Sequence, residues 1–120
     1  MASQRYVPRD YTTRPDLFGK APSIPWKVPE DGSEVYLLAS QIQHHLCLRI
    51  NDAMKTRSDL GKLTSYSRAV GGDNDEDRNR HYQRLGRVMR GETILRLDDV
   101  ATAQLHFGDH IHLPDWATAS

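Results

Sequence analysis

Six of the chain's twelve arginines fall between Arg78 and Arg96, with Glu92 as the single acid among them. Guanidinium groups crowded in this way suit phosphate oxygens, and in bidentate geometry they suit the major-groove edge of guanine. The 16 basic and 16 acidic side chains of the whole chain cancel. The local excess of five positive charges, six arginines less one glutamate, is therefore a matter of arrangement and not of composition. A segregated cationic face is the electrostatic signature of a phosphate-binding surface. Residues 78–91 contain no acid, so the one-turn ion pairs of an ordinary solvated helix face are not expected within that stretch.

The other reactive side chains are poorly placed for chemistry. His44 and His45 are adjacent, and on a helix adjacent side chains point in different directions. His106, Asp109, His110 and His112 lie close together in sequence but lack partner cysteines and a zinc-site spacing, so neither a metal nor a cofactor is expected. Cys47, within Leu-Cys-Leu, reads as a small buried apolar residue with no base to activate it. No Gly-rich phosphate loop, Ser/His/Asp grouping or pair of carboxylates at acid–base spacing is present, and the chain is not expected to be an enzyme.

The elements that must position the arginines follow from periodicity. At 120 residues the chain has room for one hydrophobic core. Its 38% apolar and 27% charged composition is that of a soluble protein. No apolar run reaches the roughly 20 residues of a membrane span. One cysteine and no apolar leader point to reducing cytoplasm. Residues 1–33 hold Pro8, Pro15, Pro22, Pro25 and Pro29 and show no periodicity; they read as an extended, Pro-rich arm. Its aromatics should pack on the core or a partner subunit, with Ile24-Pro25-Trp26 as the best anchor. In a second reading, Arg5, Arg9 and Arg14 reach into a minor groove.

Ser33-Glu34 offers a helix start, and Val35, Leu38, Ile42, Leu46, Ile50 and Ala53 form the expected buried stripe of the helix that follows. Ser58-Asp59 opens a second helix, with Leu60, Leu63, Tyr66 and Val70 inward and Gly71-Gly72 as its stop. The acidic loop 73–77 precedes a helix from Arg78 to Arg90 that has Tyr82, Leu85, Val88 and Met89 inward, Arg80, Gln83, Arg84 and Arg87 outward, and Gly91 as its stop. A last helix runs from Leu97 to Phe107, with Val100, Ala101 and Leu105 as its expected inner face and Gly108 at its end. The remaining residues, 109–120, are a tail in which Ile111, Leu113 and Trp116 pack. The expected fold is all-α, a small bundle of four to five helices over residues 34–108.

Two of these segments carry a family resemblance. Tyr66-Ser67-Arg68-Ala69-Val70-Gly71 and Tyr82-Gln83-Arg84-Leu85-Gly86-Arg87-Val88-Met89-Arg90-Gly91-Glu92 resemble the helix-turn-helix of lambda-repressor and Cro-like DNA-binding domains. Tyr66, Ser67 and Gly71 match the first helix and its turn, Leu85, Val88 and Gly91 match the second, and Val100-Ala101 to Gly108 matches a further helix. The resemblance covers roughly residues 46–108 and implies that helix 78–90 enters the major groove of duplex DNA. Base-reading positions then fall on His81 or Tyr82, Gln83 and Arg87. Arg84 and Arg90 flank them toward phosphates, Arg78 and Arg80 complete the DNA-binding set on this helix, and Thr64, Ser65 and Arg68 meet the backbone. A homodimeric sequence-specific transcription regulator, most simply a repressor, is the expected function. The alternative is a protein-binding adaptor or inhibitor of antitoxin or phage type, which sets the same helix against an acidic partner.

Overall fold

In a computed structural model of the chain, residues 6–28, 32–56, 74–108, 111 and 113 are described. The expected helix over 58–70, the first segment of the helix-turn-helix and Trp116 lie outside them, as do Arg5, Thr64, Ser65, Arg68, His110 and His112.

Among the described residues the fold is helical, with three α-helices and no strand: α1 (Glu34–Thr56), α2 (Asp75–Met89) and α3 (Leu97–Phe107). The start of α2 is three residues earlier than the sequence reading. Asn74 is its N-cap, the side chain accepting from the Asp77 amide at 2.8 Å, so Asp75, Glu76 and Asp77 join the first turn. Three acids beside the positive end of the helix dipole favour this start. Gly91, at φ +75°, ends α2, and Gly108, at φ +28°, follows α3.

The core joins Ile50, Ala53 and Met54 of α1 to Leu85 of α2, Ala103 and Phe107 of α3, and Ile111 beyond it. A second cluster is made by Phe18, Cys47 and Val88, so the N-terminal arm contributes to the packed interior. The arm folds through two short 3-10 turns, Pro8–Tyr11 and Pro15–Leu17, and a single antiparallel bridge pairs Thr12 with Trp26. Its deepest aromatic is Phe18, fully buried, while Trp26 is only half-buried. Gly19 is clamped from both sides: its amide donates to His44 Nδ1 at 2.8 Å, and its carbonyl accepts from Asn51 Nδ2 at 2.8 Å.

Two expected helix faces are rotated. On α1, Val35, Leu38 and Ile42 are exposed, and the buried side carries Ser40, Gln43, His44 and Cys47 before it reaches Ile50 and Ala53. Polar residues take the inner positions because each finds a partner there. Gln43 Nε2 donates to the carbonyls of Val88 (3.0 Å) and Thr93 (2.9 Å), and its Oε1 accepts from the Leu95 amide (2.8 Å). A hydrogen-bonded glutamine can sit in a core that would reject an unpaired one. On α3, Leu105 and Ala101 face out, Val100 is half-buried, and Asp99, Ala103 and Phe107 form the inner face.

His44 makes the stability of the fold depend on pH. Burial lowers its pKa from 6.5, adjacent His45 lowers it further, and the Ala21 backbone opposes. The folded state therefore holds fewer protons than the unfolded chain just below pH 6.5. The stabilisation from neutral His44 is complete above that value and is lost as pH falls through the depressed folded pKa. Urea unfolding at about pH 7.5 and about pH 5.5 should show a loss of stability on acidification that is smaller in His44→Gln. An equal loss in both proteins would reject this role.

Candidate nucleic-acid interface

Arg80, Gln83 and Arg87 of α2 and Arg90 at its C-cap are all exposed, and their spacing of three, four and three residues puts them on one narrow stripe. Ten residues of helix span about 15 Å, which matches the width of a major groove to within a few ångströms. The opposite side is fixed by Leu85 and Val88, both buried in the two apolar clusters. The stripe is thus held by packing at its back.

The charges on the stripe differ in commitment. Arg80 lies 3.3 Å from Glu76 and 3.7 Å from Asp77 in exposed pairs one turn apart, and half-buried Arg78 lies 3.7 Å from exposed Asp75. Arg90 pairs with Glu92, whose carboxyl pKa is lowered chiefly by that hydrogen bond. The expectation that these arginines lack acidic partners therefore fails: the acids enter from the first turn of α2 and from the loop after it. Exposed pairs of this kind contribute only about 0–1 kcal/mol, so phosphate can displace them. Gln83 and Arg87 make no side-chain hydrogen bond or ion pair among the described residues.

Arg84 has a different role from the flanking one read in the sequence. Its guanidinium forms a two-pronged pair with Asp99 of α3, with Nη1 at 2.9 Å from Oδ2 and Nη2 on Oδ1. The Arg84 side chain is 21% exposed and that of Asp99 4%, so the pair is mostly interior. The same carboxylate accepts from the Arg96 amide at 3.0 Å and so fixes the start of α3. His81 and Tyr82 are half-buried and lie off the stripe. Burial, with nearby Arg84, lowers the His81 pKa, and its Nε2 has no hydrogen-bond partner among the described residues. A neutral, inward imidazole is a poor base reader. The structure thus brings Arg80, Gln83, Arg87 and Arg90 together and turns Arg84, His81 and Tyr82 toward the body.

No family model matches this chain, and neither a curated protein nor a solved structure matches it. Four arginines of α2 and Arg90 at its C-cap, against Asp75, Glu76 and Asp77, leave this segment two charges positive, and the acids are confined to its first turn. The remaining reactive groups carry little. Burial, with a smaller contribution from Asp99, pushes the Cys47 thiol up to about 12, where it is not a nucleophile. No cluster of metal-ligating side chains occurs among the described residues, and no described helix is long and apolar enough to cross a membrane.

On the arm, Arg14 is paired with Asp16 at 3.1 Å, and the Arg9 amide donates to the Gly91 carbonyl at 3.0 Å. The arm's backbone is thereby tied to the C-terminal end of α2. The sequence reading missed this tie, because nothing in a proline-rich stretch without periodicity specifies which helix it lies against.

Proposed function

We propose that this protein is a sequence-specific double-stranded DNA-binding transcription regulator that reads the major groove with α2 and acts, most simply, as a repressor. The observation that carries this reading is the exposed stripe Arg80, Gln83, Arg87 and Arg90 on a helix packed against the core along its back. Gln83 pairs bidentately with adenine and Arg87 with guanine, the combinations that side-chain geometry favours. Arg80 and Arg90 exchange their surface carboxylates for phosphate oxygens. The sequence resemblance to lambda-repressor and Cro-like domains supports the same assignment.

The test is selection of the full chain against a random duplex library at near-physiological salt. An enriched motif is expected. Gln83→Ala and Arg87→Ala should each lose about 1–3 kcal/mol of discrimination at one defined base position. Arg90→Ala should weaken binding to all sequences alike and reduce the salt slope by about one. Equal retention of all duplexes would sink sequence-specific readout.

A second reading is favoured by one observation, the acids Asp75, Glu76 and Asp77 at the end of α2 that groove binding brings nearest to phosphate. In that reading α2 docks on an acidic protein. Salt weakens both complexes, so base preference is the discriminating measurement.

A further inference from the structure

His44 lies fully buried on α1 beneath the N-terminal arm, with its ring edge-to-face to Phe18 at 5.4 Å and to Trp26 at 5.5 Å. Its Nδ1 accepts the buried Gly19 amide at 2.8 Å, so a neutral ring carries its proton on Nε2. Nε2 has no hydrogen-bond partner among the described residues. The Gly19 backbone has no room to move aside. Asn51 Nδ2 holds its carbonyl at 2.8 Å, and a Cβ on Gly19 would stand 2.5 Å from the Met89 carbonyl oxygen and 3.2 Å from Cys47 Cβ. The arm, by contrast, is bonded to itself: the Thr13 amide donates to the Pro25 carbonyl at 3.3 Å and the Lys27 amide to the Tyr11 carbonyl at 2.9 Å. It can move as one body once its ties at Gly19 and Arg9 give way.

We infer that His44 is an acid-operated latch: a proton on Nδ1 turns the acceptor of the Gly19 amide into a second donor and releases the arm from α1 while the helices stay folded. No covalent bond other than the new N–H changes. With the latch closed, two N–H groups would face each other across 2.8 Å, and a charged ring would be shut away from water. Opening removes both faults, since Phe18, Gly19 and Trp26, which cover the ring, all belong to the arm. The charged neighbours work in the same direction. His45 stands beside the ring on α1, Lys20 follows Gly19 on the arm, and Cys47 lies one turn along with a thiol that burial keeps neutral. Helix α2 approaches with Val88 and Met89, which do not titrate. Burial and His45 hold the ring neutral, no carboxylate acts on it, and the Ala21 backbone alone favours the charged form. The closed arm is therefore fully favoured above pH 6.5 and is lost as pH falls through the depressed value of the closed state. A fold that loses stability on acidification can do so all at once or at one place, and these bonds name the place. The latch is independent of what α2 binds.

The test is an acid titration of the full chain carrying Trp116→Phe, so that Trp26 is its one tryptophan. Trp26 emission should shift to the red, and the hydrogen-exchange protection factor of the Gly19 amide should fall about tenfold per pH unit, as one coupled proton requires. Both should follow the titration of the His44 imidazole, read by NMR, with a midpoint below pH 6.5. Far-UV circular dichroism should hold its neutral-pH value through this step. His44→Gln, whose side-chain carbonyl accepts without titrating, should abolish the step, and His45→Gln should keep it. Where His44→Gln itself loosens the arm at every pH, agreement of the Gly19 and His44 midpoints in the chain that retains His44 carries the test. A single transition that takes arm and helices together overturns the proposal. So does a Gly19 amide that stays protected while His44 titrates, or a step that survives in His44→Gln.

Discussion

Asp99→Ala is expected to cost about 3 kcal/mol, a large share of the stability of a small domain. The substitution strands the Arg84 guanidinium, whose side chain is 21% exposed, against a wall that no longer carries a carboxylate. It also removes the acceptor of the Arg96 amide, so α3 loses the contact that fixes its first turn. The cost comes from breaking the pair and not from any large net stabilisation by it. Replacing both members, Arg84→Met with Asp99→Leu, should accordingly recover the part of the loss that comes from the stranded guanidinium, but not the part that comes from the Arg96 amide. Urea unfolding of the two single variants and the double variant measures this directly. A loss below about 1 kcal/mol for Asp99→Ala would mean that water satisfies Arg84.

The acid limb gives an independent check. Burial alone would raise the Asp99 carboxyl, but the Arg84 hydrogen bond, the Arg96 amide and both positive charges outweigh it, and the pKa lies below 3.8. The stabilisation is present above pH 3.8 and is lost as pH falls through the depressed folded value. On the proposed DNA reading, Arg84→Ala should reduce affinity by loosening α2 against α3, accompanied by a drop in melting temperature, whereas Arg90→Ala should reduce affinity with the melt unchanged.

The physical signals behind the sequence reading were unequal. Gly91 and Gly108 were legible as helix ends because each glycine follows the last apolar residue of a periodic run. The α3 span from Leu97 to Phe107 was legible for the same reason, together with acids in its first turn. The outward face of α2 was legible because long polar side chains repeat at helical spacing. The inner face of α1 was not legible. Apolar periodicity selected Val35, Leu38 and Ile42, but the interior there is made of backbone groups, namely the Gly19 amide and the polar groups of Val88, Thr93 and Leu95. Such groups call for His44 and Gln43 and leave aliphatic side chains outside. Nor was Arg84 distinguishable from Arg87. Only the approach of Asp99 from another helix separates a structural guanidinium from an uncommitted one.

Gly91→Ala is the second large effect, and it links the arm to the proposed DNA surface. Gly91 has φ +75°, a conformation that costs a residue with a Cβ about 1 kcal/mol or more. A Cβ there would also stand 2.6 Å from Cδ1 and 2.8 Å from Cγ of Phe18. The Phe18 ring cannot simply withdraw, since it is fully buried against Cys47 and Val88. Overlap with a packed ring adds about 1–3 kcal/mol, for a total near 3 kcal/mol. Gly32 provides the control: it has φ +88° with nothing within 4 Å of the added Cβ, so Gly32→Ala isolates the conformational part alone. Calorimetric melting should place Gly91→Ala well below Gly32→Ala. Combining Gly91→Ala with Phe18→Ala should lose less than the sum of the single losses, because the ring that clashes is gone. Equal losses for the two glycine variants would show that Phe18 yields. Since the Gly91 carbonyl also accepts from the Arg9 amide, a chain strained here should release the arm first. The end of α2 that carries Arg87 and Arg90 would then lose its support, so DNA affinity should fall in Gly91→Ala even though no residue of the stripe has changed.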